Sequence, residues 1–189
     1  INKGRKRGVV VRIDNSERGV EAFYHLNLQT KTSLGVPAHP LNLFKVMRSH
    51  MGGHFQLYLA EVEDKVISGA IAIRFNGVVA GCYQASDSRY LQYHPNDAVT
   101  WQELEDGSNQ GYRCFDFGKT ASDKLGLAQY KMKFRAEERK LYYGYYPKMP
   151  NLASSNRKGI KFGLATKLWR RLPLPLARVL GPLAFRQLD

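Results

Sequence analysis

The chain has 189 residues, 43% of them hydrophobic and 12% aromatic, and its 29 Lys and Arg against 16 Asp and Glu give a formal charge of +13. That length suits one domain of ordinary size with a tail to spare, and the apolar share excludes disorder as the default state. The sequence contains no apolar run of about 18 residues that could span a membrane, and two cysteines, Cys82 and Cys114, make no disulfide framework.

The chain opens on a basic run, Lys3, Arg5, Lys6 and Arg7, and passes at once into residues 8–13 (GVVVRI), whose β-branched content predicts a short strand. A start of this kind is expected of a chain cut from something longer. Asp14-Asn15-Ser16 offers helix caps, and Val20, Phe23, Tyr24, Leu28 and Lys31 follow at helical spacing until Gly35 and Pro37 stop the element. A second, shorter helix fits residues 41–49, between Pro40 and Gly52-Gly53.

Three strands follow in tight succession. Residues 55–63 alternate, with Phe55, Leu57 and Leu59 on one face and Gln56 and Tyr58 on the other. Asp64-Lys65 turns the chain into a strand over 66–75, and Asn76-Gly77, a strong hairpin signal, turns it into a strand over 78–84. A helix over 96–110 carries Ala98, Trp101, Leu104 and Glu105. A short strand over 113–117, a helix over 122–134 and a last strand over 141–146 (LYYGYY), stopped by Pro147, complete the order. Cys82 and Cys114 fall in strand runs and are expected as buried free thiols. This order predicts the α+β class, with one mixed, mostly antiparallel sheet flanked by helices. It shows no repeat of solenoid period.

Residues 1–147 form the expected domain and 148–189 a basic, apolar extension. No acidic residue occurs between Glu138 and Asp189, while eleven Lys and Arg fall there. Leu164, Leu168, Trp169 and Leu172 sit beside Lys161, Lys167, Arg170 and Arg171, and the Pro-interrupted stretch Leu172-Pro173-Leu174-Pro175-Leu176 follows. Such a surface seeks phosphates, in lipid headgroups, nucleic acid or a nucleotide-linked substrate. Its apolar residues either dock on protein or lie in a membrane interface, with Lys167, Trp169, Arg170 and Arg171 meeting anionic lipid.

The strand and helix order resembles that of the GNAT acyltransferase (acyl-CoA N-acyltransferase) fold, and local matches narrow it. FYHLNLQTKTSLGVPAHPLNLFK resembles the helix, turn and second helix of Fem-like proteins of the FemAB, peptidoglycan interpeptide-bridge kind. FDFGKTASDKLGLAQYKMKF resembles their "FDFG…GL…FK…F" signature, with Tyr130-Lys131 in place of the usual Phe-Lys. ASDSRYLQYHPNDAVTW resembles the run between their meander and its helix. KLWRRLPLPLARVLGP resembles the close of the members associated with exopolysaccharide and exosortase systems.

The resemblance covers roughly residues 1–180. It implies that this chain is the C-terminal of two GNAT-like lobes, with the missing N-terminal lobe as a partner. It implies transfer of an acyl or aminoacyl group to an amine. The best-known donor is aminoacyl-tRNA and the best-known acceptors are peptidoglycan precursors, so a lipid-linked or nucleotide-linked glycan precursor and tRNA are the implied partners. The implied location is the bacterial cytoplasm, peripheral at the inner face of the cell membrane. The sequence departs from acetyl-CoA enzymes of the fold, which place Arg/Gln-x-x-Gly-x-Gly/Ala after the fourth strand to cradle pyrophosphate. Here the junction reads Gln84-Ala85-Ser86-Asp87-Ser88-Arg89 and lacks the glycines, so acyl-CoA fits less well than aminoacyl-tRNA and no cofactor is assigned. Phe134-Arg135 also replaces the family's Phe-Gly.

Acyl transfer to an amine needs a neutral nucleophile, a carbonyl within reach and stabilisation of the developing oxyanion. The resemblance places a functional lysine at Lys131, able to hold a phosphate or that oxyanion; the alternative is a solvated lysine on a helix shared with Lys124 and Lys133. Asp116 ends a strand, where it either meets substrate or caps the next turn. Lys119, Arg89, Tyr90 and Tyr93 are the expected substrate-binding residues, with core packing as the alternative for the tyrosines. Asp-Phe-Gly also occurs in kinases, but the Gly-rich loop, Val-Ala-Ile-Lys and His-Arg-Asp are missing. His50 and His54 have ligand spacing but enclose Gly52-Gly53, with no acidic or cysteine partner nearby, so no metal site is expected. The rival to an enzyme is a non-catalytic, membrane-associated scaffold of the same shape in envelope polysaccharide assembly. A basic RNA-binding module is the third reading, although no RNP-type or helix-turn-helix signature supports it.

Overall fold

A computed structural model describes residues 4, 6–146 and 160–185, with the backbone alone at 160–162 and 185. Strand β1 (Val10–Ile13) leads into helix α1 (Glu17–Leu34). The Ser16 side chain accepts the Gly19 N–H at 3.0 Å at the N-terminus of α1, and Gly35, at φ 76°, ends the helix in the left-handed conformation that glycine adopts without strain. Helix α2 (Leu41–Met51) follows, then β2 (Phe55–Val62), β3 (Lys65–Phe75) and β4 (Val78–Ser86). The β3–β4 turn is Asn76-Gly77 as expected, both at positive φ. The β2–β3 turn is Glu63-Asp64, one residue earlier than the sequence pattern suggests, and Lys65 opens β3.

A 3-10 turn (Ser88–Tyr93) precedes α3 (Pro95–Asn109), and β5 (Cys114–Asp116) and α4 (Leu125–Met132) follow. Helices α5 (Ile160–Trp169) and α6 (Leu174–Phe185) close the described chain. The sheet order is β1-β2-β3-β4-β5, antiparallel except for the parallel β4–β5 pair. This is the mixed, helix-flanked sheet that the element order predicts. Residues 147–159 and 186–189, with their share of the basic tail, lie outside the described residues.

Both faces of the sheet are covered. On one face α1, α2 and α6 pack Val20, Phe23, Tyr24, Phe44 and Ala177 against Phe55, Leu57, Leu59 and Ile71. On the other, α3 packs Ala98 and Val99 against Tyr58, Ala60, Ile67, Ala70, Ala72 and Val79. Tyr58, expected beside Gln56 on the face opposite Phe55, Leu57 and Leu59, is therefore fully buried. Along α3 the buried residues are Pro95, Ala98, Val99, Thr100, Glu103 and Gly107, while Trp101 and Leu104 stay half-buried.

Two further expectations give way. Residues 141–146 form no strand and lie exposed; β5 is three residues long and offers little edge for another strand to join, whatever the β-propensity of tyrosine. Cys82 and Cys114 are free but exposed, because they sit where β4 and β5 reach the uncovered margin of the sheet.

Candidate active site at the β4–β5 wedge

β4 and β5 pair in parallel only at Val78 with Cys114, Val79 with Phe115 and Ala80 with Asp116. β5 then ends, while β4 continues to Ser86 held from the β3 side. A wedge opens between them, and past Ala80 the β4 margin has no ladder partner among the described residues. Unpaired main-chain groups of this kind can bind an extended ligand as a strand would be bound. β4 also bulges here: Ile71 faces Tyr83 and Ala72 faces Gly81, so Cys82 is the extra residue, and the bulge re-aims the backbone at the wedge.

Helix α3 backs this margin with polar side chains. Gln84 Nε2 donates to Thr100 Oγ1 at 3.1 Å, and the Tyr130 hydroxyl lies 2.9 Å from the same oxygen while donating to the Asn96 carbonyl at 3.1 Å. Tyr130 thereby pins α4 to α3. Gly107 allows α3 to lie close, since a Cβ there would stand 3.0 Å from Val79 Cγ2. One turn away, Glu103 is 3% exposed and its Oε1 has no hydrogen-bond partner. Burial pushes its carboxyl up to about 8, with Arg74 pulling the other way. Partial burial raises the Cys82 thiol as well, and the charges of Glu103 and Asp116 add to that, which puts both carboxylates within electrostatic reach of the bulge.

Arg74 is itself buried, ion-paired with Asp106 and bonded to the Tyr58 hydroxyl and, at 2.8 Å, to Gln110 Oε1. Tyr58 donates to Asp106 Oδ2 at 2.6 Å. Burial alone would raise the Asp106 carboxyl, but the bonds from Tyr58 and Arg74 outweigh it and hold the group below its ordinary value.

Of the residues singled out from sequence, Asp116, Lys119 and Lys131 come together at the turn after β5. Asp116 Oδ1 accepts the Gly118 N–H at 2.7 Å, and Lys131 Nζ donates to the carbonyls of Gly118 at 2.7 Å and Lys119 at 3.4 Å. Burial lowers the Lys131 pKa and the Asp116 charge opposes that. Lys119 Nζ lies 3.4 Å from the Tyr143 hydroxyl. Arg89, Tyr90 and Tyr93 lie elsewhere, in the 3-10 turn beyond the end of β4. Arg89 grips Asp87 through Nε and Nη2 at 2.9 and 2.6 Å. Tyr90 and Tyr93 pack on the α3-side core, and the Tyr90 hydroxyl accepts from Lys65 at 2.8 Å. A cleft of about 470 Å³ beside this turn is lined by Thr30, Ser33, Ser86, Asp87, Arg89 and Leu174, among others. In the tail, Lys167, Arg170 and Arg171 are exposed and Trp169 is half-buried.

Residues 1–132 match the model of the acetyltransferase (GNAT) domain family. The chain belongs to that family. No curated protein matches it in sequence. Among solved structures it is similar to FemX, at TM-score 0.62 and 16% identity, over 69% of this chain and 50% of that one. It is also similar to an aminoglycoside acetyltransferase from an uncultured soil metagenomic sample, in complex with sisomicin, at TM-score 0.60 and 11% identity, over 76% and 99% of the two chains. The ribosomal-protein alanine N-acetyltransferase of Escherichia coli superposes at TM-score 0.56 and 16% identity, over 74% and 85%. At these identities the likeness is one of fold.

In this GNAT domain the N-terminus of α3 is a poor anion cradle. Pro95 at the first helical position has no N–H to give, His94 supplies no side-chain cap, and Asp97 already places a carboxylate in the first turn. Sequence reasoning missed Glu103, Asp106 and their strand partner Arg74. The signal was a polar stripe, Thr100, Glu103, Asp106 and Gln110, at helical spacing on α3. Among the described residues no cluster of three metal-ligating side chains occurs. His54 Nδ1 donates to the Arg74 carbonyl at 2.7 Å and His50 Nδ1 lies 3.1 Å from the Val46 carbonyl.

Proposed function

We propose that this GNAT domain transfers an acyl or aminoacyl group to an amine on a cell-envelope or exopolysaccharide precursor, with the β4–β5 wedge as the acyl-donor slot. The wedge carries this reading: three parallel pairs and then an open, bulged β4 margin in a chain of the acetyltransferase family. The amine nitrogen attacks the acyl carbonyl, a C–N bond forms, the donor's C–O or C–S bond breaks, and the proton the amine gives up ends on the released hydroxyl or thiol. An ammonium has three N–H groups, and Lys131 uses two on the turn carbonyls. The third serves the developing oxyanion or a donor phosphate. Asp116 positions the turn that holds Lys131.

The Fem-like motifs support an envelope acceptor, aminoacyl-tRNA as donor and a second GNAT-like lobe completing the acceptor site. The poor phosphate cradle at α3 supports the same donor. The test offers the chain lipid-linked glycan precursors with either labelled aminoacyl-tRNA or labelled acyl-CoA. Transfer from tRNA alone supports the reading, and transfer from acyl-CoA alone reassigns the donor. Silence from both favours the non-catalytic scaffold, a reading to which the structural duties of Asp116 and Lys131 lend support.

A further inference from the structure

The C-terminal helices carry apolar surface on two sides. On α6 the small residues Ala177 and Gly181, four apart, are buried against the α1–α2 corner. A Cβ on Gly181 would stand 3.2 Å from the Ala38 carbonyl oxygen. At roughly 100° per residue, Leu176, Val179, Leu180 and Leu183 share a different stripe. That stripe is exposed, Val179 at 65% and Leu183 at 57%. α5 repeats the arrangement. Thr166 abuts Gly35, where any Cβ would lie 2.4 Å from its Cγ2, while Leu164 and Leu168, four apart, face away, Leu168 at 68% exposed.

A helix packed on one domain needs one apolar face. Among the described residues nothing covers the second, and the charge around it indicates the occupant. Lys167, Arg170, Arg171 and Arg178 are exposed on and between these helices, and residues 139–188 contain no Asp or Glu to neutralise them. Leucines flanked by uncompensated cations complement a surface that is apolar beneath and anionic above. We infer that α5 and α6 form an interfacial platform that seats this domain on anionic phospholipid. The helices lie in the interface and do not span it, since no described helix is long and apolar enough to cross. The inference stands on binding alone and survives failure of the transferase reading.

The test is co-sedimentation of the full chain with vesicles of phosphatidylcholine alone and of phosphatidylcholine mixed with phosphatidylglycerol. The chain is expected to pellet with the mixed vesicles and to be released by salt. Each Lys or Arg contributes about fivefold to partition near such a surface, so Arg170→Ala with Arg171→Ala lowers it about 25-fold. Val179→Ser with Leu183→Ser also lowers binding while leaving the thermal melt in place, because both side chains point outward. Equal pelleting with both vesicle types, or none with either, overturns the proposal. So does a stable dimer that Leu183→Ser dissociates and that shows no vesicle binding, for then a second copy covers the stripe.

Discussion

Replacing Glu103 by Gln removes a proton equilibrium that the fold makes costly. The carboxyl is 3% exposed with one oxygen unpartnered, and burial moves it from an ordinary 4.5 to about 8. The folded chain therefore keeps a proton between these values that the unfolded chain has released. Stability contributed by the neutral acid is present at low pH, falls as pH rises through the window, and levels off above about pH 8. At about 1.4 kcal/mol per pH unit the whole interval is worth about 5 kcal/mol, of which about 3 kcal/mol is gone by pH 7. Gln keeps the shape and cannot ionise. Urea unfolding of both proteins at about pH 5, 7 and 9 isolates this residue, because every other titration cancels in the difference. The curves should nearly meet at the lowest pH, and Glu103→Gln should be the more stable by about 3 kcal/mol at neutrality. Parallel curves across the whole range would refute the reasoning and mean that the folded carboxyl is ionised or hydrated.

Asp106→Ala leaves the buried Arg74 guanidinium without its counter-charge, so urea unfolding should show a loss of about 3–5 kcal/mol. Ser16→Ala removes the side-chain acceptor at the start of α1 and should cost about 1 kcal/mol by the same assay. Lys131→Ala should lower transfer about a hundredfold to a thousandfold, as loss of an oxyanion donor does, while circular dichroism stays native. Unchanged turnover in that variant removes Lys131 from the mechanism.

The meander was legible because its signals are local. Asn76-Gly77 fits a turn that demands positive φ at both residues, and the alternating strands around it have a period that no helix shares. The second core was not legible in the same way. β2 reads as one apolar and one mixed face, yet Tyr58 is buried because α3, more than thirty residues later, covers it. Glu103 escaped notice for a related reason. A glutamate in a helix reads as solvated, and only the helix's tertiary position turns it inward. LYYGYY failed in the opposite sense: its residues favour strands, but a strand needs an edge, and β5 supplies three residues of one. At the candidate site, the sequence offers Asp116 and Lys131 as catalytic and Lys119, Arg89, Tyr90 and Tyr93 as substrate-binding, and the fold divides them differently: Asp116, Lys119 and Lys131 meet at the turn after β5. Arg89, Tyr90 and Tyr93 lie apart from that turn, because β4 carries the chain to its far end before they occur, a separation that spacing along the chain does not reveal.

That separation bears on where the donor's phosphates sit in the proposed reaction. The turn at the end of β4 offers one exposed guanidinium, Arg89, already committed to Asp87, and a helix start weakened by Pro95 and Asp97. The turn after β5 and the helix that follows it are different. Residues 116–135 carry Lys119, Lys124, Lys131, Lys133 and Arg135 against only Asp116 and Asp123. A compact pyrophosphate needs converging N–H groups at one place, whereas a polynucleotide needs many cations spread over a surface. The cations of residues 116–135 are spread along the chain, which is the second arrangement. A donor held that way loses affinity steeply with salt, while one held in a single cradle does not, so the salt dependence of donor binding separates tRNA from coenzyme A before any product is measured.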